Sequence, residues 1–105
     1  MMKISNEIIR HESEGYAEIV LTNSKGVETG RALVDIEDID NRSVLWLFED
    51  RFFLNKRGYV CGFTLIDNKY PRELHRCIVK AKKGQRVSFK NKNKLDLRKN
   101  NLKVK

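Results

Sequence analysis

The sequence predicts an α+β fold: a small N-terminal antiparallel β-hairpin or meander, followed by shorter strands interleaved with short helices. Three observations carry this. Runs of β-formers flank Asn/Gly turns in the first third of the chain, and one apolar stripe at helical spacing follows Pro71. At 105 residues the chain suits one domain, burying about 60–68% of the surface its unfolded form exposes.

Tyr16-Ala17-Glu18-Ile19-Val20-Leu21-Thr22 is the first strand. Asn23-Ser24-Lys25-Gly26 turns the chain, and Val27 to Val34 returns it. Asp35-Ile36-Glu37-Asp38 opens a short helix that Asp35 is placed to cap, ending near Asn41 to Ser43. Val44 to Phe48 is apolar but too short for its period to separate strand from buried helix. Arg51 to Leu54 and Tyr59 to Leu65 are strands about the turn Asn55-Lys56-Arg57-Gly58, and Asp67-Asn68-Lys69 turns again.

Pro71 suits the first position of a helix whose stripe is Leu74, Cys77, Ile78 and Ala81, running through Lys82 and ended by Gly84. Val87-Ser88-Phe89 is a short strand, Asn91-Lys92-Asn93 a loop, and Leu95 to Leu102 a last short helix. Trp46, Phe48, Phe52, Phe53, Tyr59 and Phe63 are spaced as core residues rather than as a base-stacking platform.

Composition excludes several classes. With 40% hydrophobic and 34% charged residues, the chain is globular rather than disordered. No apolar run is long enough for a membrane span, and Met1-Met2-Lys3-Ile4 runs into charged residues unlike a signal peptide. Cys61 and Cys77 are too few for a disulfide framework, so a reducing cytoplasm is expected. With His11 and His75 they show no zinc-ligand spacing, and neither phosphate-loop nor dinucleotide glycine motif occurs; no metal or cofactor is expected. Cys77 lies on the apolar stripe and reads as a small core residue.

The net charge of +8 conceals an asymmetry: residues 1–50 carry 5 Lys/Arg against 11 Asp/Glu, and residues 51–105 carry 17 against 3. Residues 1–105 therefore form a single domain with an acidic β-rich subregion, about 1–50, and a basic one, about 51–105. Such a split suits a surface that meets a polyanion, the plainer alternative being a solvated charged face. Candidate binding residues are Arg76, Lys80, Lys82, Lys83, Arg86, Lys90, Lys92, Lys94, Arg98 and Lys99.

Leu74-His75-Arg76, then Val87-Ser88-Phe89-Lys90-Asn91-Lys92-Asn93, Leu95-Asp96-Leu97-Arg98 and Asn101-Leu102 resemble the HNH homing endonucleases of phages. Those read Leu-His-Arg, a basic loop, Val-Asp-His-Ile-Asn-Gly-Asn, Leu-Asp-Asn-Arg and Asn-Leu. Tyr16-Ala17-Glu18-Ile19, the turn at Gly26, Ala32 to Asp38 and Gly58-Tyr59-Val60 follow the family's order, so the likeness runs from about Tyr16 to Leu102. It implies that the basic subregion is a degenerate HNH-like ββα-type region.

In that family an aspartate in the short strand holds a divalent metal on the scissile phosphate, and the adjoining histidine activates water. Here those positions are Ser88 and Phe89. Serine is a poor ligand for a hard cation, and phenylalanine has no proton chemistry. The family also continues into a helix supplying a further metal ligand, whereas this sequence stops at Lys105. The resemblance thus implies a protein with no catalytic residues. Asn91, Asn93, Asp96, Arg98 and Asn101 match the family's loop and helix but are also ordinary turn chemistry. Asp96 is expected to cap the last helix against Arg98 or Lys99, and His75 to be a hydrogen-bonded structural group.

The functional expectation is a non-catalytic phage-type protein acting in the cytoplasm of a host bacterial cell. Its partner would be a CRISPR effector nuclease, its guide RNA or its target DNA, as for a small anti-CRISPR inhibitor. Sequence-independent binding of bare DNA or RNA by the basic half is the alternative, residual HNH nuclease activity a third. The acidic half could instead occupy a DNA channel as a duplex mimic. No membrane partner is expected.

Overall fold

The computed structural model describes residues 3–40, 44–66 and 69–105. Among these described residues, nine strands and two short α-helices follow in the order β1 (Lys3–Ile4), β2 (Ile8–His11), β3 (Tyr16–Thr22), β4 (Glu28–Asp35), α1 (Ile36–Asp40), β5 (Phe48–Leu54), β6 (Val60–Thr64), β7 (Arg72–Glu73), α2 (Leu74–Ile78), β8 (Val87–Phe89) and β9 (Leu102–Val104). The fold is α+β, with strands predominating. The expected end of the first helix at Asn41 to Ser43, and Asp67-Asn68 of the second turn, lie outside the described residues.

β2, β3 and β4 form one antiparallel meander, and β1, β5, β6 and β7 a second sheet in that spatial order, with β1 parallel to β5. The side chain of Asn6 joins the two. Its Nδ2 donates to the Val20 carbonyl at 2.9 Å and the Phe52 carbonyl at 3.1 Å, while its Oδ1 accepts the Phe52 amide at 2.7 Å. A single amide thus satisfies backbone groups of two different sheets, a use that no propensity scale reveals.

The core lies between these sheets and α2. Ile19, Leu21, Val34, Leu45, Phe48, Phe52, Val60, Leu74 and Leu97 are fully buried. Phe48 and Phe52 tilt against each other with centroids 4.9 Å apart, each such ring contributing about 1.5–3 kcal/mol by its removal from water. Among the six aromatics read as core, Trp46, Phe53, Tyr59 and Phe63 are only half-buried. Two of them make polar contacts: Trp46 Nε1 donates to the Ile39 carbonyl, and the Arg51 guanidinium lies over the face of the Phe53 ring.

Gly62, on central strand β6, has no room for a side chain. A Cβ there would stand 2.9 Å from Phe48 Cδ2 and 3.0 Å from Phe52 Cδ1. Both rings are sealed in the core and cannot swing aside, so Gly62→Ala costs about 1–3 kcal/mol by overpacking. Thermal melting followed by circular dichroism checks this, and an unshifted midpoint would contradict it.

Three expectations need correction. The apolar run at Val44 is neither strand nor α-helix alone: Val44–Leu47 is a 3-10 turn, and Phe48 opens β5. Pro71 does not start a helix; it precedes the two-residue β7, and α2 stops at Ile78, well short of Lys82. Lys80 takes a left-handed backbone (φ 54°), which breaks the helix before Gly84 is reached. The third is the last helix, which does not form. Leu95 to Leu97 instead run beside β4, the Leu33 amide donating to the Leu95 carbonyl and the Leu97 amide to the Leu33 carbonyl, both at 2.7 Å. The free edge of β4 satisfies these backbone groups better than a helix too short to propagate. A 3-10 turn, Lys99–Asn101, then leads into β9.

Candidate nucleic-acid interface

β8 and β9 pair antiparallel as a separate two-stranded ribbon, with Val87 opposite Val104, Ser88 opposite Lys103 and Phe89 opposite Leu102. Backbone bonds extend the ladder at both ends: Arg86 and Lys105 exchange N–H···O bonds of 3.2 and 2.8 Å, and the Lys90 amide donates to the Asn101 carbonyl at 2.8 Å. The two-residue period therefore sorts the side chains. Val87, Phe89 and Leu102 turn toward the core cluster. Arg86, Ser88, Lys90, Lys103 and Lys105 share the other face and are exposed.

Arg86 stands directly across from Lys105 on that face. Like charges in this relation destabilise a ribbon on their own, and no carboxylate pairs with either among the described residues. Among the described residues the face is a cationic strip without a counter-ion.

The loop that closes the ribbon is held by side-chain amides. Asn91 Oδ1 accepts the Asn93 amide and Asn101 Nδ2, both at 2.9 Å, and Asn91 Nδ2 donates to Asp96 Oδ2 at 2.8 Å. Asp96, 1% exposed, also takes Arg98 Nε at 2.8 Å and Arg98 Nη2 at 2.7 Å. The Arg98 guanidinium, with the burial working against it, holds the Asp96 carboxyl below the usual carboxylate range. The expected Asp96–Arg98 contact is present, but it locks a loop rather than capping a helix.

The ten basic residues expected to bind divide accordingly. Arg76 is turned inward, donating to the Gln85 and Lys82 carbonyls at 2.7 and 3.1 Å. Lys94 Nζ donates to the Arg57 carbonyl at 2.9 Å and lies over the Tyr59 ring. Arg98 serves Asp96, and Lys99 Nζ bonds Asp38 at 3.0 Å and Glu37 at 3.2 Å. The remaining six, Lys80, Lys82, Lys83, Arg86, Lys90 and Lys92, are exposed. Lys103 and Lys105, which are not among the expected binding residues, join them; the alternation Leu102-Lys103-Val104-Lys105 is the signal that places them on the same face.

Ser88 and Phe89 point to opposite faces. Ser88 lies exposed among the cations, whereas Phe89 packs on His75 with centroids 5.1 Å apart, and His75 stacks on Tyr59 at 4.8 Å. His75 is 4% exposed. Its Nε2 is 3.9 Å from Glu73 Oε1, beyond a hydrogen bond, and its Nδ1 has no hydrogen-bond partner among the described residues. The imidazole is thus a packed ring, not the hydrogen-bonded group expected. Burial lowers its pKa, with the Arg76 charge adding to the effect and Glu73 opposing it.

No family model, curated protein or solved structure matches the chain.

Among the described residues, no three His, Cys, Asp or Glu side chains gather as a metal site. Burial pushes the Cys61 thiol up to about 11, which leaves it unreactive. Among the described residues, no helix is long and apolar enough to cross a membrane. The acidic half is partly neutralised from within, since Arg10 pairs with Glu12 and Asp40, and Arg31 with Glu28.

His75 also sets a pH dependence. Its folded pKa lies below the ordinary value near 6.5, so the folded protein binds fewer protons than the unfolded chain as pH falls through that region. Stability is unaffected by this group above about pH 7 and declines progressively below about pH 6.5. His75→Phe keeps the ring stack and should remove that component. Urea midpoints at pH 7.5 and 5.5 measure it, and an identical pH slope in the variant would count against the assignment.

Proposed function

We propose that this chain is a catalytically silent, HNH-like protein that grips nucleic-acid phosphates through the cationic face of the β8–β9 ribbon. Its best-fitting target is the guide RNA or target DNA of a CRISPR effector nuclease, whose cleavage it would block. The observation that carries the reading is the ribbon's outward face, where Arg86, Lys90, Lys103 and Lys105 present cations that no carboxylate answers among the described residues. Phosphates relieve the repulsion between Arg86 and Lys105, and counter-ion release supplies the driving force.

Support for the HNH-like reading comes from the contact between its two signature segments: His75 of Leu74-His75-Arg76 meets Phe89 of Val87-Ser88-Phe89 ring against ring. Support for catalytic silence comes from the same contact, because the benzene ring occupies the ground in front of the imidazole, and the neighbouring hydroxyl of Ser88 faces away. A second reading, sequence-independent binding of bare duplex, is favoured by the ribbon itself, since a two-stranded ribbon fits the major groove.

One pair of assays tests these. Binding of bare duplex and single strand is measured by salt-dependent gel shift, and target cleavage by a purified CRISPR nuclease is measured with the protein added. Inhibition with little affinity for bare nucleic acid supports the first reading, and strong salt-sensitive shifts without inhibition support the second. Neither effect, or plasmid nicking in manganese that survives purification, would overturn the proposal.

A further inference from the structure

The outward face of the β8–β9 ribbon has an uncharged side chain at its middle. Ser88 stands there with Arg86 and Lys90 two residues away on either side and Lys103 directly opposite. Residues two apart on a strand lie about 6–7 Å from each other on one face. Arg86 and Lys105 exchange both backbone bonds. Ser88 and Lys103, two places along, therefore fall in the same hydrogen-bonded class of pair, with Cα atoms about 5.5 Å apart. Lys105 lies on the diagonal, about 7–8 Å away. Four cations are thus within side-chain reach of one hydroxyl.

That hydroxyl is spare. Ser88 is exposed, and its Oγ meets no hydrogen-bond partner among the described residues. Other hydroxyls of the molecule are placed differently. Ser5 Oγ donates to the Asp50 carbonyl at 3.0 Å, Thr29 Oγ1 to the Leu21 carbonyl at 3.4 Å, and Ser13 stands between Glu12 and Glu14. The backbone around Ser88 is also open to a second protein. It is already extended, and no third strand joins the ribbon among the described residues.

We propose that Ser88 is a phosphorylation site, and that its phosphate closes the cationic face from within. The inference rests on the reading of that face as a phosphate grip and supplies its regulation. In the modification, the Ser88 oxygen attacks the terminal phosphorus of a nucleoside triphosphate held by a protein kinase. The new O–P bond replaces the bond to the departing nucleoside diphosphate, and the hydroxyl proton passes to a base of the kinase. Cations on both sides of the serine suit a kinase whose substrate groove is acidic. The product carries a charge of about −1.5 to −2 at neutral pH and three acceptor oxygens. Arg86, Lys90 and Lys103 close on it through charge-assisted hydrogen bonds, and the repulsion between Arg86 and Lys105 is relieved. The covalent phosphate then fills the place that a nucleic-acid phosphate takes in the unmodified protein.

The full chain is incubated with magnesium ATP and the catalytic fragment of protein kinase C, which favours serines with basic residues on both sides, and the product is mapped by mass spectrometry. Phosphate should enter chiefly at Ser88, and Ser88→Ala should lose that incorporation while keeping the parent's melting temperature. No phosphate on Ser88, or more on Ser13 than on Ser88, overturns the proposal. Phosphorus NMR of the modified chain should then show the second ionisation below its usual value of about 6, moving back toward it in modified Lys103→Gln. An unshifted titration overturns the closure of the face. Affinity for duplex DNA should fall about tenfold on modification, with the salt slope smaller by about 2. Unchanged affinity in a modified chain overturns the regulation. If the unmodified chain does not bind duplex, the function proposed above fails, while the site itself still stands or falls on the mapping and the titration.

Discussion

Replacing Asp96 by alanine is expected to cost about 3 kcal/mol of stability. The carboxylate receives Asn91 Nδ2, the Arg98 guanidinium through two nitrogens, and the Arg98 amide. Removing it leaves the Asn91 amide and a guanidinium facing an empty, enclosed position, and hydrogen bonds to charged groups are worth about 1.5–3 kcal/mol each before compensation. Asp96 also sits where residues 95–97 join the edge of β4, so the ribbon loop and the meander loosen together.

The pH dependence provides a second signature. Because Asp96 titrates lower when folded than when unfolded, its contribution is present above the ordinary carboxylate pKa near 4 and is lost as pH falls through the lowered value. Asp96→Ala should therefore flatten the acid limb as well as lower the plateau. Urea unfolding across pH 2–7 measures both. A variant within about 0.5 kcal/mol of the parent at neutral pH would show that the loop does not depend on this group.

The second large effect concerns binding. Neutralising Arg86, Lys90, Lys103 and Lys105 together to glutamine should reduce the slope of log affinity against log salt by about 3–4 on duplex DNA, and abolish measurable binding near physiological salt. Stability should stay within about 0.5 kcal/mol of the parent or rise, since the four side chains are exposed and one like-charge pair disappears. The instructive control is Lys99→Gln. Lys99 bonds Glu37 and Asp38, so its loss should weaken the fold while changing the salt slope much less. Equal slopes for the quadruple variant and the parent would move the interface off the ribbon.

Where hydrophobic period and turn chemistry agreed, the sequence was readable. The strand Tyr16–Thr22, its turn at Gly26 and its return strand follow the pattern directly, as do β6 and β8. Tertiary demands decided the rest. The segment 95–102 has helix-compatible residues, but the open edge of β4 offered its backbone better partners, and nothing local in Leu95-Asp96-Leu97 announces a strand more than sixty residues away. The stripe at Leu74 did mark a helix, yet its length was set by Lys80, a residue whose left-handed backbone no spacing rule anticipates. For the candidate interface, counting lysines marks a basic segment but does not separate cations bound to the protein itself, such as Arg76 and Lys94, from those that face outward.

The strand-like passage of Leu95 to Leu97 beside β4 has a consequence for how the protein behaves when damaged. A bare β-edge is a template on which other chains can add and begin to aggregate, and here the protein covers that edge with its own later residues. Any lesion that releases this cover, even one distant from the hydrophobic interior, exposes an adhesive border flanked by Val34 and Ala32. Loss of native structure in this molecule should accordingly show itself first as self-association, before general unfolding.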